Sequence, residues 1–154
     1  MPVVFVTGMS GTGKSSALAE LERRGHRVVD TDYGGWIEAE PEPLWREDRI
    51  TELLDEQRDE TLFISGCVAN QGKFYERFDA VVLLSAPADV VLERVAGRTT
   101  NDFGKSDAER ERILSDLAAV EPILRRGATA EIDTRAPLDE VVDALERIAS
   151  STTP

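Results

Sequence analysis

Eight consecutive residues, Gly8-Met9-Ser10-Gly11-Thr12-Gly13-Lys14-Ser15, fall at the spacing G-x-x-x-x-G-K-[ST]. A loop of this length, with glycines that let it curl, turns successive backbone N–H groups inward toward phosphate oxygens. A helix starting at its end adds a positive N-terminal pole. Lys14 brings a point charge to β- and γ-phosphates, and the Ser15 hydroxyl is a ligand for Mg²⁺. The loop and the start of the helix, Gly8 through Ser16, are the expected nucleotide contacts, with ATP and Mg²⁺ as the expected cofactors.

Two further groups carry chemistry. Val29-Asp30-Thr31-Asp32 sets two carboxylates two residues apart. Mg²⁺ keeps several waters and takes one or two carboxylates, and a carboxylate beside an acceptor hydroxyl orients or deprotonates it. The plain alternative is a capped turn, since Asp favours such places. Arg94 and Arg98 are four apart and share a helix face. Planar, permanently charged guanidinium groups suit stacking on a base and gripping phosphate, or else a solvated face.

These groups need elements to position them. Val3-Val4-Phe5-Val6-Thr7 is a continuous β-branched and aromatic run, suited to a strand covered on both faces. Further strands are predicted over 27–30, 61–65, 79–85 and 128–133. Helices are predicted over 14–24 with Gly25 as the stop, 43–59, 88–96, 108–125, and from Pro137 with an apolar stripe at Leu138, Val141, Val142, Leu145 and Ile148. The order βαβαβ(α)βααβα implies an α/β fold: a three-layer α/β/α arrangement with a five-stranded parallel sheet. Ligands in such sheets bind beyond the C-terminal strand ends, and the glycine loop and the Asp pair each follow a strand. Residues 1–150 are expected to be one domain, 99–106 a short polar lid containing Lys105, and 151–154 a frayed tail.

Composition excludes other classes. The chain has 154 residues and a formal net charge of −12, which repels nucleic-acid backbones and anionic membranes in general. No apolar stretch is long enough for a membrane span, and the start lacks a signal peptide's pattern. A single cysteine, Cys67, rules out an intrachain disulfide, and cytoplasm is the default expectation. Lysine occurs only at 14, 73 and 105.

Chain length, element order and the loop after the first strand resemble the small P-loop kinases: nucleoside-monophosphate kinases, shikimate kinase and gluconate kinase. Asp30-Thr31-Asp32 resembles the D-x-D of shikimate kinase. That implies Asp30 near the metal and Asp32 near the acceptor hydroxyl. Leu92 to Arg98 looks like the L-x-x-R-x-x-x-R that leads into the lid. It implies that Arg94 stacks on adenine and that Arg98 reaches the phosphates. The turn Ile132 to Pro137, with Arg135, corresponds to the one bordering adenine. The catalytic set implied is Lys14, Asp32 and Arg98.

The pattern also departs from that family. The resemblance implies that Ser65 to Lys73 faces the acceptor, yet neither a glycine triplet nor a Gly followed closely by Arg stands there. Gly66 and the bidentate amides of Asn70 and Gln71 are the candidate acceptor contacts, with Asp32 and Tyr33. Ser65 stands where a Walker B aspartate would. Cys67 reads as a nucleophile or a small buried filler, and His26 as a surface residue. Tyr33, Trp36 and Trp45 around Gly34-Gly35 suggest a segment covering an aromatic or sugar-like acceptor, with Trp45 in the core. Arg46, Arg49 and Arg58 share the second helix, where one could clamp an acidic acceptor or pair with its neighbours. Arg125 and Arg126 either reach the transferred phosphate or favour the helix dipole. The expected activity is transfer of the γ-phosphate to a small molecule by a monomer or dimer. The alternative is an accessory ATPase whose nucleotide state controls a protein partner.

Overall fold

The structure, a computed structural model, describes residues 2–9, 11–56, 59–97 and 107–152. Strand β1 (Val3–Thr7) leads through the glycine loop into α1 (Lys14–Arg23) and β2 (Arg27–Asp30). A two-stranded hairpin follows, β3 (Ile37–Glu38) with β4 (Leu44–Trp45), then α2 (Glu47–Asp55) and β5 (Leu62–Ser65). A 3₁₀ helix (Gln71–Arg77) precedes β6 (Ala80–Ser85), α3 (Ala88–Ala96), α4 (Asp107–Gly127), β7 (Ala130–Asp133) and α5 (Leu138–Ser151).

The main sheet has the order β2-β5-β1-β6-β7, with every pairing parallel. The three-layer α/β/α expectation therefore holds. Period-two alternation in β1 divides the core. Val4 and Val6 face α1 and α5, packing with Leu18, Leu21, Val142 and Leu145. Val3 and Phe5 face the other way, toward Ile50 and Leu53 of α2, Trp45 and Phe78. Phe5 stacks on Phe78 at 4.9 Å and meets Trp45 edge-on at 5.3 Å. A third cluster ties Val91 and Val95 of α3 to Ile113 of α4.

The second helix is shorter than the predicted 43–59. Its first residues form β4 instead, because Trp45 gains more by entering the core. Trp45 is 2% exposed. Its N–H donates to Asn70 Oδ1 at 2.9 Å, and the Arg46 N–H donates to the Trp36 carbonyl at 2.7 Å. Both bonds commit the backbone to a hairpin, so helix begins only at Glu47. At the other end α5 runs on through Ser151, past the expected boundary at 150, and the Thr152 hydroxyl donates to the Ala149 carbonyl at 2.8 Å. Thr153 and Pro154 lie outside the described residues.

His26 is not a free surface residue. It is partly buried between α1 and α5, with Nε2 2.7 Å from Glu146 Oε2 and its ring edge-on to Phe63 at 5.3 Å. Arg24 beside it pairs with Glu146 and Asp143, fastening α1 to α5. No helix among the described residues is long and apolar enough to cross a membrane.

Candidate active site

The parallel sheet brings the C-terminal ends of β1, β2 and β5 side by side, with Val6 opposite Ser65 and Asp30 opposite Ser65. That register places the loop after β1 next to the carboxylates after β2. Within the loop, the Thr12 hydroxyl donates to the Met9 carbonyl at 2.7 Å and its side chain is buried. Lys14 Nζ donates to the Gly8 carbonyl and, at 3.2 Å, to that of Met9. The ammonium therefore already lies over the mouth of the loop.

Ser15, in the first turn of α1, donates its hydroxyl to Asp30 Oδ2 at 2.9 Å. Asp30 Oδ1 accepts the Asp32 N–H at 3.1 Å. Thus one carboxylate is oriented from both sides. A hydroxyl and a carboxylate side by side, close to a lysine, are a donor set of the hard oxygen type that Mg²⁺ prefers. No group of three or more His, Cys, Asp or Glu gathers among the described residues. The donor set fits an ion that keeps most of its waters and leans on substrate phosphates.

Asp32 sits at the solvent rim, but the strand ends crowd its carboxyl. Desolvation first, then the like charge of Asp30, raise its pKa, and Lys14 opposes them. Cys67 lies on the floor between these groups. Burial pushes its thiol up, against the opposing pull of Lys14 and a hydrogen bond with Thr7, and Asp32 pushes the same way as burial. A thiol shifted in that direction favours its protonated form, which weakens the nucleophile reading of Cys67.

The structure turns three of the expected acceptor contacts toward the protein interior. Asn70 is 8% exposed, and its amide accepts from the Trp45 N–H and donates to the Trp45 carbonyl at 3.1 Å and to Glu47 at 3.0 Å. Gln71 is 3% exposed, donates to the Thr7 and Tyr75 hydroxyl oxygens, and accepts from the Val68 N–H. Both amides are consumed in holding the 66–71 loop to β1 and β4. Gly66 is buried, donates its N–H to Val6 and accepts from the Thr7 hydroxyl at 2.8 Å. A Cβ there would strike Thr31 Oγ1 and sit 3.3 Å from the Trp45 ring. Gly66→Ala should therefore cost about 1–3 kcal/mol of stability, read as a lowered urea midpoint. An unchanged midpoint would show that Thr31 and Trp45 can give way.

Thr31 and Trp45 are the residues that sequence reasoning undervalued. Trp45 Nε1 donates to Thr31 Oγ1 at 2.9 Å, and that hydroxyl donates to the Ser65 carbonyl at 2.8 Å. Thr31 is thus the inward member of the Asp-Thr-Asp triplet, and its anchorage turns both aspartates outward. Alternation along the strand end was the available signal.

On the opposite side of the loop, Arg94 donates to Thr134 Oγ1 at 2.9 Å, to the Thr134 carbonyl at 2.6 Å and to the Gly11 carbonyl at 3.4 Å. It links α3, the loop and the turn after β7. Arg135 closes its fork on Asp133, two residues before it, at 2.7 to 3.1 Å. Arg125 pairs with Glu131 and Glu121. Lys73 pairs with Glu47 at 3.1 Å. Ser10, Arg58, Arg98 and the expected lid 99–106 with Lys105 lie outside the described residues.

A buried parallel strand, a glycine loop and a helix opening on Lys-Ser, within this strand order, define a P-loop nucleotide-binding protein with the fold of the small P-loop kinases. The chain belongs to the AAA domain family, whose pattern its residues 4–115 match. Solved structures agree on the fold. Shikimate kinase from Acinetobacter baumannii in complex with shikimate is 19% identical, with a TM-score of 0.71 over 99% of this chain and 95% of that one. Shikimate kinase from Bacteroides thetaiotaomicron is 17% identical, with a TM-score of 0.69 over 97% and 98%. A gluconokinase from Sinorhizobium meliloti 1021 is 23% identical, with a TM-score of 0.60 over 97% and 94%. A search of curated proteins gives no match.

Proposed function

We propose that this protein is an ATP- and Mg²⁺-dependent phosphotransferase that moves the γ-phosphate of ATP to a hydroxyl of a small molecule. The observation that carries this reading is the line Ser15–Asp30–Asp32 beside Lys14. It sets a metal-type donor pair and a second, separate carboxylate at the open end of a phosphate loop. Phosphoryl transfer to a hydroxyl would use that second carboxylate to orient the acceptor and take its proton.

Bound Mg²⁺ supplies neutralisation of charge on the β- and γ-phosphate oxygens, and Ser15 and Asp30 are the residues that would hold it. Lys14 exchanges the carbonyls of Gly8 and Met9 for phosphate oxygens and stabilises charge as the transfer proceeds. Asp32 accepts a hydrogen bond from the acceptor hydroxyl, aims its oxygen at the γ-phosphorus and takes up its proton. Arg94 borders the base, and Arg98 completes the phosphate contacts. Because transfer of this kind is mostly positioning and electrostatics, these few groups suffice. A lysine-poor surface of strong negative charge suits a small free metabolite better than a polyanion, and the cytoplasm suits ATP as donor.

The test is ADP release from Mg-ATP across a panel of hydroxyl acceptors, with Lys14→Ala as the blank. The panel holds nucleosides, nucleoside monophosphates, shikimate, gluconate and aminoglycoside or amphenicol antibiotics. Acceptor-dependent ADP with phosphate found on that acceptor supports the kinase. A flat panel with tight ATP binding favours instead an accessory ATPase that regulates a partner. Arg94→Ala should weaken ATP binding about tenfold through lost stacking, measured by calorimetric titration. Unchanged affinity would leave Arg94 only as the clasp on Thr134.

A further inference from the structure

Next to Asp32 one aromatic ring stands outside the core, and the turn that follows it is clamped. Tyr33 follows Asp32 directly, its N–H donates to the Asp30 carbonyl at 3.1 Å, and the residue is 72% exposed. Gly34 and Gly35 then adopt φ of 89° and 80° in succession, a double left-handed turn that only glycine makes freely. The turn reverses the chain so that Trp36 returns against the core.

Arg49 of α2 clamps that turn. Its Nη1 donates to the Gly34 carbonyl at 2.9 Å and to the Gly35 carbonyl at 2.8 Å, and its guanidinium lies 4.2 Å over the Trp36 ring. A planar fork that donates along its edge while stacking with its face is available only from arginine. The turn is closely packed: a Cβ on Gly35 would lie 3.0 Å from Arg49 Nη1, and one on Gly34 would lie 3.2 Å from Trp36 Nε1. Beyond it, the Trp36 carbonyl holds the Arg46 N–H, and Ile37 pairs with Trp45. Residues 30–37 are therefore tied at both ends and in the middle. The one large apolar side chain left outside is the neighbour of the carboxylate that would meet an acceptor. The arginine available to grip an acidic acceptor from this helix position is committed to the loop instead.

We propose that Arg49 is a positioning residue that holds Tyr33 as a stacking platform, and that the acceptor is a ring compound whose flat face lies on Tyr33 with a hydroxyl at Asp32. The inference rests on the kinase reading of the same site. A ring face, whether of a sugar or a heterocycle, covers the tyrosine and removes its apolar surface from water. An open-chain polyol or sugar acid offers no such face.

The experiment uses the full chain with Mg-ATP and detects phosphorylated product by ³¹P NMR. Nucleosides, inositol and methyl hexopyranosides form the ring arm; glycerol, glucitol and gluconate form the open-chain arm. The two halves of the ring arm separate heterocycle from sugar. Ring acceptors should give kcat/KM at least about tenfold above open-chain ones, and Tyr33→Ala should raise the best acceptor's KM about tenfold, as expected for a lost stack, with KM for ATP moving less than about twofold. Tyr33→Phe keeps the ring and should restore the acceptor KM. Arg49→Lys should raise the same KM, and the Arg49→Lys/Tyr33→Ala double variant should be no worse than Tyr33→Ala alone, because both changes remove one platform. Open-chain acceptors served as well as rings, or an acceptor KM indifferent to Tyr33→Ala, would overturn the platform while the product still upheld a kinase. Effects of the two substitutions that multiply would overturn the positioning role of Arg49. No phosphorylated product from any acceptor would remove the kinase reading, and the platform with it.

Discussion

Lys14→Ala lowers acceptor-dependent ADP release about a thousandfold, the scale expected when a preorganised charge is removed from a developing anion. In this structure the ammonium rests on the carbonyls of Gly8 and Met9. Phosphate oxygens would take the place of those two carbonyls around the ammonium. Alanine leaves those two carbonyls to water, which reaches this partly exposed position. The fold itself should persist, because the packing of α1 runs through Ala17, Leu18 and Leu21, further along the helix than Lys14. A coupled ADP assay measures the loss, and circular dichroism with thermal melting checks the fold. Turnover at the wild-type rate in a folded variant would remove Lys14 from the chemistry.

Asp32→Asn lowers kcat about 10²- to 10⁴-fold, the usual range for a lost general base, with a much smaller effect on ATP affinity. If ATP affinity collapses instead, Asp32 belongs to the metal site and not to the acceptor. The same residue predicts two pH effects. Its pKa is raised by desolvation and by Asp30, against Lys14. The carboxylate is the working form, so activity falls as pH drops through a value above the ordinary aspartate range. The asparagine variant's residual rate lacks that acid limb. Stability moves the opposite way from that of most carboxylates. Folding binds this proton more tightly than the unfolded chain does. The favourable contribution is complete below the ordinary aspartate pKa and is lost as pH rises through the raised one. At neutral pH Asp32→Asn should therefore raise Tm, read by calorimetry, and a lowered Tm would show that the ionised carboxylate has a stabilising partner. A group that costs stability where it stands is what a site residue looks like, since the crowding that raises its pKa also poises it to take a proton.

Much of this protein is legible along the chain. Val3 to Thr7, the glycine loop and the Lys14-Ser15 pair are contiguous, and their chemistry depends on backbone geometry over a few residues, so spacing alone announces the phosphate site. The alternation of strands and helices likewise yields the parallel sheet, because buried β-branched runs and 3.6-residue stripes are local patterns. The hairpin Ile37–Glu38 with Leu44–Trp45 is not local: it forms because Trp45 is drawn under Thr31 and against Phe5, partners 14 and 40 positions away in the chain.

The acceptor side shows the limit most clearly. Asn70 and Gln71 carry free-looking amides in the sequence, and no spacing rule reveals that the Trp45 backbone, Thr7, Val68 and Tyr75 will use them. Arg49 reads as one surface arginine among several until α2 lies across the Gly34-Gly35 turn. The sequence by itself determined the phosphate loop and the alternation of strands and helices, because each rests on neighbours in the chain. The tertiary structure alone decided which polar groups remain available to a ligand, because a buried amide goes to whichever partner the packing brings within hydrogen-bond reach.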